Sequence, residues 1–409
     1  MVSNSEPFFA AAYTANDRIK INKYNALPLV LQCSKQHNGK VIRAHQILLD
    51  TNEEHATYCA KAAGIARFSY NWGLNAWNQL YEIQKMDPEV QGTSEMELRR
   101  ELNRIKKDEY PWMLEVTKCA PQMALKNLGK AFTNFFKGKA KYPKWKVKGR
   151  DDRFTLSSDH FEVNENKIRL PHIGWIPMKE HLRFSGKIVS ATISNIAGRW
   201  YASISVEVTS LTLKPAKNHG KLGIDLGVNT LATLWKDDGT FEKKNAERPL
   251  KTLLPQLRKL SKSLSRKVKD SNGWKDAKRK LGEMHLRIVN IRKDRTHKLT
   301  TMISSCYSTV VIEDLDVKGM MKDPHRGFRR SLSDMGFAEF RRQLEYKMEA
   351  RGSELIVADR YYPSSKTCSH CTTINHALRR EQKRWICAVC KTTHDRDVNA
   401  AHNLWGLSA

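Results

Sequence analysis

Residues 221–235 read KLGIDLGVNTLATLW. This apolar run follows a Lys-Pro linker at 213–219 and reads as a buried strand, a short link and a second strand; Asp237-Asp238-Gly239 then turns towards a third. Asp225 interrupts the run in mid-strand. Two acids downstream echo it: Glu313 closes the apolar strand Val310-Val311-Ile312-Glu313, and Asp397, in Asp395-Arg396-Asp397, opens the final helix.

Burying an unpaired carboxylate costs several kcal/mol, and burying three is hard to justify unless a cation binds them. Each acid alone has a plainer explanation, since Asp225 in Gly-x-Asp-x-Gly can be a turn residue and Glu313 a surface acid at a strand end. Asp395 competes with Asp397 for the third place, with Asp397 preferred. Three acids from separate elements of one sheet can hold two Mg²⁺ or Mn²⁺ about 4 Å apart, an arrangement suited to phosphodiester hydrolysis. Their order, acid on a first strand, acid on a later strand and acid before a last helix, points to a ribonuclease-H-like fold.

Between the last two acids lie Cys368, Cys371, Cys387 and Cys390, two Cys-x-x-Cys pairs with fifteen residues between them. Four thiolates bind one Zn²⁺ tetrahedrally and leave no open position, so this site is expected to fold the segment and not to catalyse. A redox role needs only one such pair. Cys33, Cys59, Cys119 and Cys306 are scattered, which is usage for a reducing compartment.

The chain has 409 residues, enough for two to four domains, and 71 Lys and Arg against 43 Asp and Glu leave a formal charge of +28. The excess is clustered, which favours a nucleic-acid partner over a merely soluble basic surface. No apolar stretch approaches eighteen residues and the N-terminus lacks a signal peptide's basic flank, so the expected location is cytoplasmic, with no membrane partner.

Residues 1–40 read as a flexible extension with one strand at 29–32. A strand at 41–49 follows, and Thr51 with Glu54 forms a capping box for a helix carrying Cys59, Ala63, Ala66, Trp72 and Trp77 towards a core. Helices at 95–107 and 121–136 come next. The strip FFKGKAKYPKWKVKGR (135–150) interleaves Lys137, Lys139, Lys141 and Lys144 with Tyr142 and Trp145 and contains no acid, a pattern suited to a phosphate backbone; the alternative is a solvated loop with two anchoring aromatics. From 154 to 208 the period becomes two, predicting antiparallel strands of a small barrel or sandwich into which the helices at 51–136 are inserted. Residues 251–298 hold sixteen Lys and Arg against four acids on a leucine-spaced helical pattern, a basic hairpin broken at Ser271-Asn272-Gly273. A helix at 338–351 closed by Gly352 and a strand at 355–357 complete the reading.

The stretches RFSYNW, YPWMLEV, ALKNLGKAFTNFFKGKAKYPKWK, GIDLGVNTLAT, HKLTT, VVIEDLDVKGMM, SLSDMGFAEFRRQLEYK, YYPSSKTCSHC and HDRDVNAAHNL together resemble the TnpB (OrfB) proteins of bacterial and archaeal insertion sequences, relatives of the type V CRISPR effector nucleases. The resemblance runs from Val41 onward. It implies an RNA-guided, Mg²⁺-dependent DNA endonuclease: a β-barrel wedge domain at 41–50 and 137–215, a helical recognition domain at 51–136, a RuvC-like nuclease domain at 220–361 and 394–409, and a zinc ribbon at 362–393. The implied partners are a guide RNA from the element's right end and double-stranded target DNA beside a short adjacent motif. The family's catalytic acids fall on Asp225, Glu313 and Asp397 and its zinc ligands on the four paired cysteines, while Lys118, Gln122 and Thr155 fall where members touch the adjacent motif; a Gln can bond an adenine edge bidentately. Thr372 and Lys391 stand where members often have Gly. Other functions on the same fold are guided binding without cleavage and an unguided transposase or junction nuclease.

Overall fold

The computed structural model describes residues 40–87, 89, 92–209, 216, 220–379 and 381–407. The strand expected at 29–32 lies outside them. Strand β1 (Lys40–Leu48) leads into α1 (Glu53–Met86), whose core face is lined by small or slim side chains, Cys59, Ala62, Ala63 and Ala66. The capping box sits one residue later than Thr51 and Glu54: Asn52 is the extended residue before the helix, its side chain accepts from the His55 N–H at 2.7 Å, and the His55 ring answers to the Asn52 N–H. Helices α2 (Glu95–Ile105) and α3 (Cys119–Phe136) follow. Leu125, Leu128 and Phe132 of α3 are buried, Trp77 stacks on Phe132 at 4.1 Å, and both Trp72 and Trp77 pack half-buried against this core.

Strands β2 (Arg153–Ser157), β3 (Glu162–Asn164), β4 (Lys167–Leu170), β5 (Gly174–Pro177), β6 (Lys187–Ile196) and β7 (Arg199–Thr209) are antiparallel, as the period of two requires. Where a barrel or sandwich was expected, their ladders form a four-stranded sheet, β1-β7-β6-β2, and a three-stranded sheet, β3-β4-β5, linked by the Leu49–Met178 bridge. The β6–β7 hairpin turns at Ala197 (φ 53°) and Gly198 (φ 82°), the paired left-handed residues that match a hairpin's twist. The first strand pairs with the last along its whole length, Lys40 opposite Thr209 to Leu48 opposite Tyr201, so α1 to α3 leave and rejoin one sheet and share its apolar core.

A second sheet, order β10-β9-β8-β11-β12, gathers β8 (Lys221–Leu226), β9 (Thr230–Lys236), β10 (Phe241–Asn245), β11 (Thr309–Ile312) and β12 (Glu354–Val357). The first three are antiparallel, and β11 and β12 run parallel to β8. Between β10 and β11 come α4 (Pro249–Ser265) and α5 (Asn272–Cys306). The hairpin break is therefore 266–271, with Ser271 as the N-cap of α5; Asn272 and Gly273 already belong to the helix, which runs well past residue 298. Between β11 and β12 come α6 (Val317–Met320), α7 (Arg326–Met335) and α8 (Phe337–Glu349). Asp334, fully buried, fixes this layer: it accepts from the Leu250 and Lys251 N–H groups at the start of α4 and twice from Arg292 of α5, at 2.8 to 3.1 Å.

Pleating gives the sheet two apolar faces. Val310 and Ile312 pack with Ile303, Phe340, Leu344 and Met348 on one side, while Val311 meets Leu404 on the other. Leu404 belongs to α9 (Arg396–Gly406), which follows the small antiparallel pair β13 (Arg384–Ile386) and β14 (Thr393–Asp395). Gly223 explains how close this helix comes. A Cβ there would lie 2.1 Å from the Ala401 carbonyl oxygen and 2.5 Å from the Trp405 nitrogen, so only glycine lets α9 rest on β8.

Candidate functional site

Strand register brings the acids together. Gly223 pairs with Val311 and Ile224 with Ile312, so Asp225 and Glu313 are the next neighbours and both point to the face that carries α9. The Leu226 N–H donates to Glu313 Oε1 at 3.1 Å. Burial pushes the Asp225 carboxyl well above the usual carboxylate range, and the charges of Glu313 and Asp397 push it further. Glu313 is driven up to about 7, chiefly by burial and also by Asp397, against the opposing Leu226 hydrogen bond. Asp397 arrives from the first turn of α9.

Asp395 has a different task. It is the N-cap of α9, accepting from the Asp397 and Val398 N–H groups at 3.1 Å each, and its other oxygen pairs with Lys243 at 2.8 Å. Burial works against this charge, but those partners hold its pKa below the ordinary value. Asp397 is left with the Arg396 guanidinium at 3.3 Å. Opposite Asp225 in the β8–β9 ladder stands Thr233, whose hydroxyl is buried without a hydrogen-bond partner. Sequence reasoning had no signal for Thr233 or Gly223, since each depends on what lies across a strand or beneath a helix.

The four cysteine sulfurs lie within 4.8 Å of one another, with Cys368–Cys390 and Cys371–Cys387 at 3.5 Å, close to the ~3.8 Å separation that a tetrahedral ZnS₄ centre imposes. They can hold zinc. The two knuckles match: Thr372 N–H donates to the Cys368 carbonyl and Lys391 N–H to that of Cys387, while Cys368 and Cys387 donate to Thr373 and Thr392. Thr372 (φ 63°) and Lys391 (φ 57°) take the left-handed conformation, so the turn is made without the glycine often found there. Beyond the sulfurs, the apolar cluster of this segment among the described residues consists of Leu378 and Trp385, too little to fold without a staple.

Asn399 and Asn403, one turn apart on α9, tie the first knuckle to that helix. Asn399 accepts from Ser369 N–H at 2.9 Å and donates to the Thr367 carbonyl at 2.7 Å; Asn403 donates to the Thr367 and Ser364 carbonyls, both at 2.7 Å. His394 Nε2 lies 3.1 Å from Cys368 Sγ. The i,i+4 spacing of the asparagines was a readable sign of a shared face; His394 offered none.

The candidate nucleic-acid contacts lie on the first half of the chain. Lys118 precedes α3 and lines a cavity of about 270 Å³ with Met113, Pro121 and His160. Gln122 is on the first turn of α3, which abuts β2 through Cys119 and Ser157 at 3.5 Å, and Thr155 of β2 bonds Thr192 at 3.1 Å. Lys137, Lys139, Lys141 and Lys144 are exposed and make no ion pair among the described residues. Tyr142 is anchored, its hydroxyl donating to Asn78 at 2.6 Å and its ring edge-on to Phe132 and Phe135. Trp145 is half exposed.

Comparison with known proteins agrees with this architecture. Family models described as "Probable transposase", "Cas12f1-like, TNB domain" and "Helix-turn-helix domain" match residues 203–323, 337–404 and 41–86, although 41–86 here form one strand and one unbroken helix. The chain is 32% identical over 382 residues to "Putative RNA-guided DNA endonuclease InsQ" of Escherichia coli K12, covering 89% of this chain and 92% of that protein. It is 33% identical over 386 residues to a "Putative RNA-guided DNA endonuclease" of Streptomyces pristinaespiralis, covering 90% of each. A solved structure, "Cryo-EM structure of the Cas12f1-sgRNA-target DNA complex", aligns with 86% of this chain and 83% of its own at TM-score 0.55 and 16% identity. In architecture this is a mixed α/β protein sharing the fold of a type V effector. On the full-length identities, the chain belongs to the TnpB (OrfB) family.

Proposed function

We propose that the chain is an RNA-guided DNA endonuclease of a transposable element, with the 220–361 and 394–409 segments as a RuvC-like nuclease domain and 362–393 as its zinc ribbon. In this reading 41–50 and 137–215 are the wedge domain and 51–136 the recognition domain, and the partners are a guide RNA from the element's right end and double-stranded DNA beside a short adjacent motif. The E. coli and Streptomyces relatives carry that activity in their names. The carrying observation is the convergence of Asp225, Glu313 and Asp397 towards the face that carries α9, where burial first and neighbouring charge second raise the Asp225 and Glu313 carboxyls above the usual range.

The residues fit a hard divalent cation. All three donors are oxygen, a cation would offset their burial and mutual repulsion, and the Thr233 hydroxyl opposite Asp225 is buried without a partner. Asp225, Glu313 and Asp397 would hold Mg²⁺, or Mn²⁺, which when bound activates water and stabilises the leaving oxygen. The chain's own groups prepare the site: Leu226 N–H orients Glu313, Lys243 steadies the Asp395 cap, and that cap aims Asp397.

Purified protein with its copurifying RNA, incubated with matched DNA, should cut only when Mg²⁺ is present. Asp225→Ala should lower cleavage about 1,000-fold or more, a loss of about 4 kcal/mol of transition-state stabilisation, with DNA affinity within a few-fold of wild type. A comparable loss of binding would make Asp225 a structural acid. The Arg396–Asp397 pair favours a second reading, guided binding without cutting, and intact DNA bound in the presence of Mg²⁺ would select it. Absence of a defined copurifying RNA would instead select an unguided nuclease.

A further inference from the structure

Helix α1 presents Arg67, Phe68, Trp72 and Asn75 to one side, at the three- and four-residue spacings that share a face, and with Tyr110 and Trp145 they line an open cavity of about 450 Å³. Trp145 comes from the basic strip, which is fastened here. The Asn71 amide accepts from Lys146 N–H at 2.8 Å and donates to its carbonyl at 3.0 Å, and Arg67 pairs with Asp152 at 2.6 Å while Asp152 also takes the Gly149 N–H. The indole is therefore preset beside the helix. Phe68 and Tyr110, in the same lining, meet edge-on at 4.9 Å.

Two features mark the cavity as a receiving site and not as leftover core. Trp145 is 49% exposed and has no aromatic partner, and the exposed Asn75 amide makes no hydrogen bond, each among the described residues. An aromatic face and a free amide together recognise one flat, polar-edged ring: stacking supplies the energy and the amide meets donors and acceptors on the rim. Lys144 and Lys148 flank Trp145 without ion pairs, so phosphates on either side of such a ring find cations.

We propose that this cavity holds a single unpaired nucleobase of a strand whose phosphates follow the 137–150 strip. The idea rests on the nucleic-acid reading above, and its chemistry is shared by RNA and DNA. The test measures fluorescence anisotropy of labelled short oligo(A), oligo(dA) and an abasic oligodeoxynucleotide of equal length with the full chain. Wild type should bind the abasic strand least; whichever of oligo(A) and oligo(dA) binds tighter names the strand. Trp145→Ala should weaken the preferred strand about tenfold and Asn75→Ala by a smaller factor, while Trp145→Phe, which keeps a stacking face, should stay within about threefold. The salt slope should not change, because no phosphate contact is lost. Equal binding of abasic and base-bearing strands, or Trp145→Ala within about twofold of wild type, overturns the pocket and leaves the nuclease reading standing. Failure of wild type to bind any of the three overturns both.

Discussion

Lys347 shows how a charge can be buried in this chain on hydrogen bonds to neutral groups, with no ion pair to an acid among the described residues. Its ammonium, on α8, donates to the His297 carbonyl at 3.0 Å and to the hydroxyls of Thr300 and Thr301 at 2.6 and 2.8 Å, and burial lowers its pKa from 10.5 to about 8. The folded protein gives up this proton near pH 8 while the unfolded chain keeps it to about 10.5, so the unfolded state binds more protons in that window and stability rises with pH across it. Comparing urea denaturation of wild type and Lys347→Met at several pH values should show the difference moving in favour of wild type from pH 8 to 10.5; a flat difference would mean that the ammonium stays charged. The carboxylates at 225, 313 and 397 were visible in the sequence because acids are conspicuous in apolar runs. Their supports, Thr233, Gly223 and Leu226 N–H, were not, because a hydroxyl, a glycine or a backbone amide becomes informative only when its cross-strand neighbour is known.

Helix α9 is the element on which the candidate site depends. It is held from below by β8 through Gly223 and from the side by the first knuckle through Asn399 and Asn403, so the cysteine cluster that can hold zinc is tied by hydrogen bonds to the helix that carries Asp397. Chelating zinc should speed amide hydrogen exchange in 396–406 and leave the β1–β7 ladder untouched; unchanged protection of α9 would show that the knuckle does not brace it. Asn399→Ala leaves buried groups without partners, at about 1–3 kcal/mol each, and should hasten zinc release to a coloured chelator without changing the ligands. At this scale most of the architecture was legible: apolar period separated the antiparallel strands from the helices, and CxxC spacing located the knuckles. The misplacements, at the α1 cap and the α4–α5 break, fell where neighbouring polar residues compete to start a helix. There, backbone conformation decides which of them caps.

Among the described residues, two large apolar cores divide the work, one of β1 to β7 with α1 to α3, the other of the mixed sheet and the helices around it. The charge of +28 is an argument about partners and not about fold. If the exposed lysines of the strip contact phosphates, replacing Lys139, Lys141 and Lys144 together by Ala should flatten the dependence of log affinity on log salt by about 2 to 3 for nucleic acid, and an unchanged slope would identify a solvated loop. That first core, with its basic strip, is complete by residue 209, whereas the acids come from positions 225, 313 and 397. Synthesis from the N-terminus thus makes the surface proposed to grip nucleic acid long before the centre proposed to cut it. A chain stopped by a nonsense codon after β7 and before α9 would keep the proposed grip and lack the proposed blade, a natural competitor of its own full-length product.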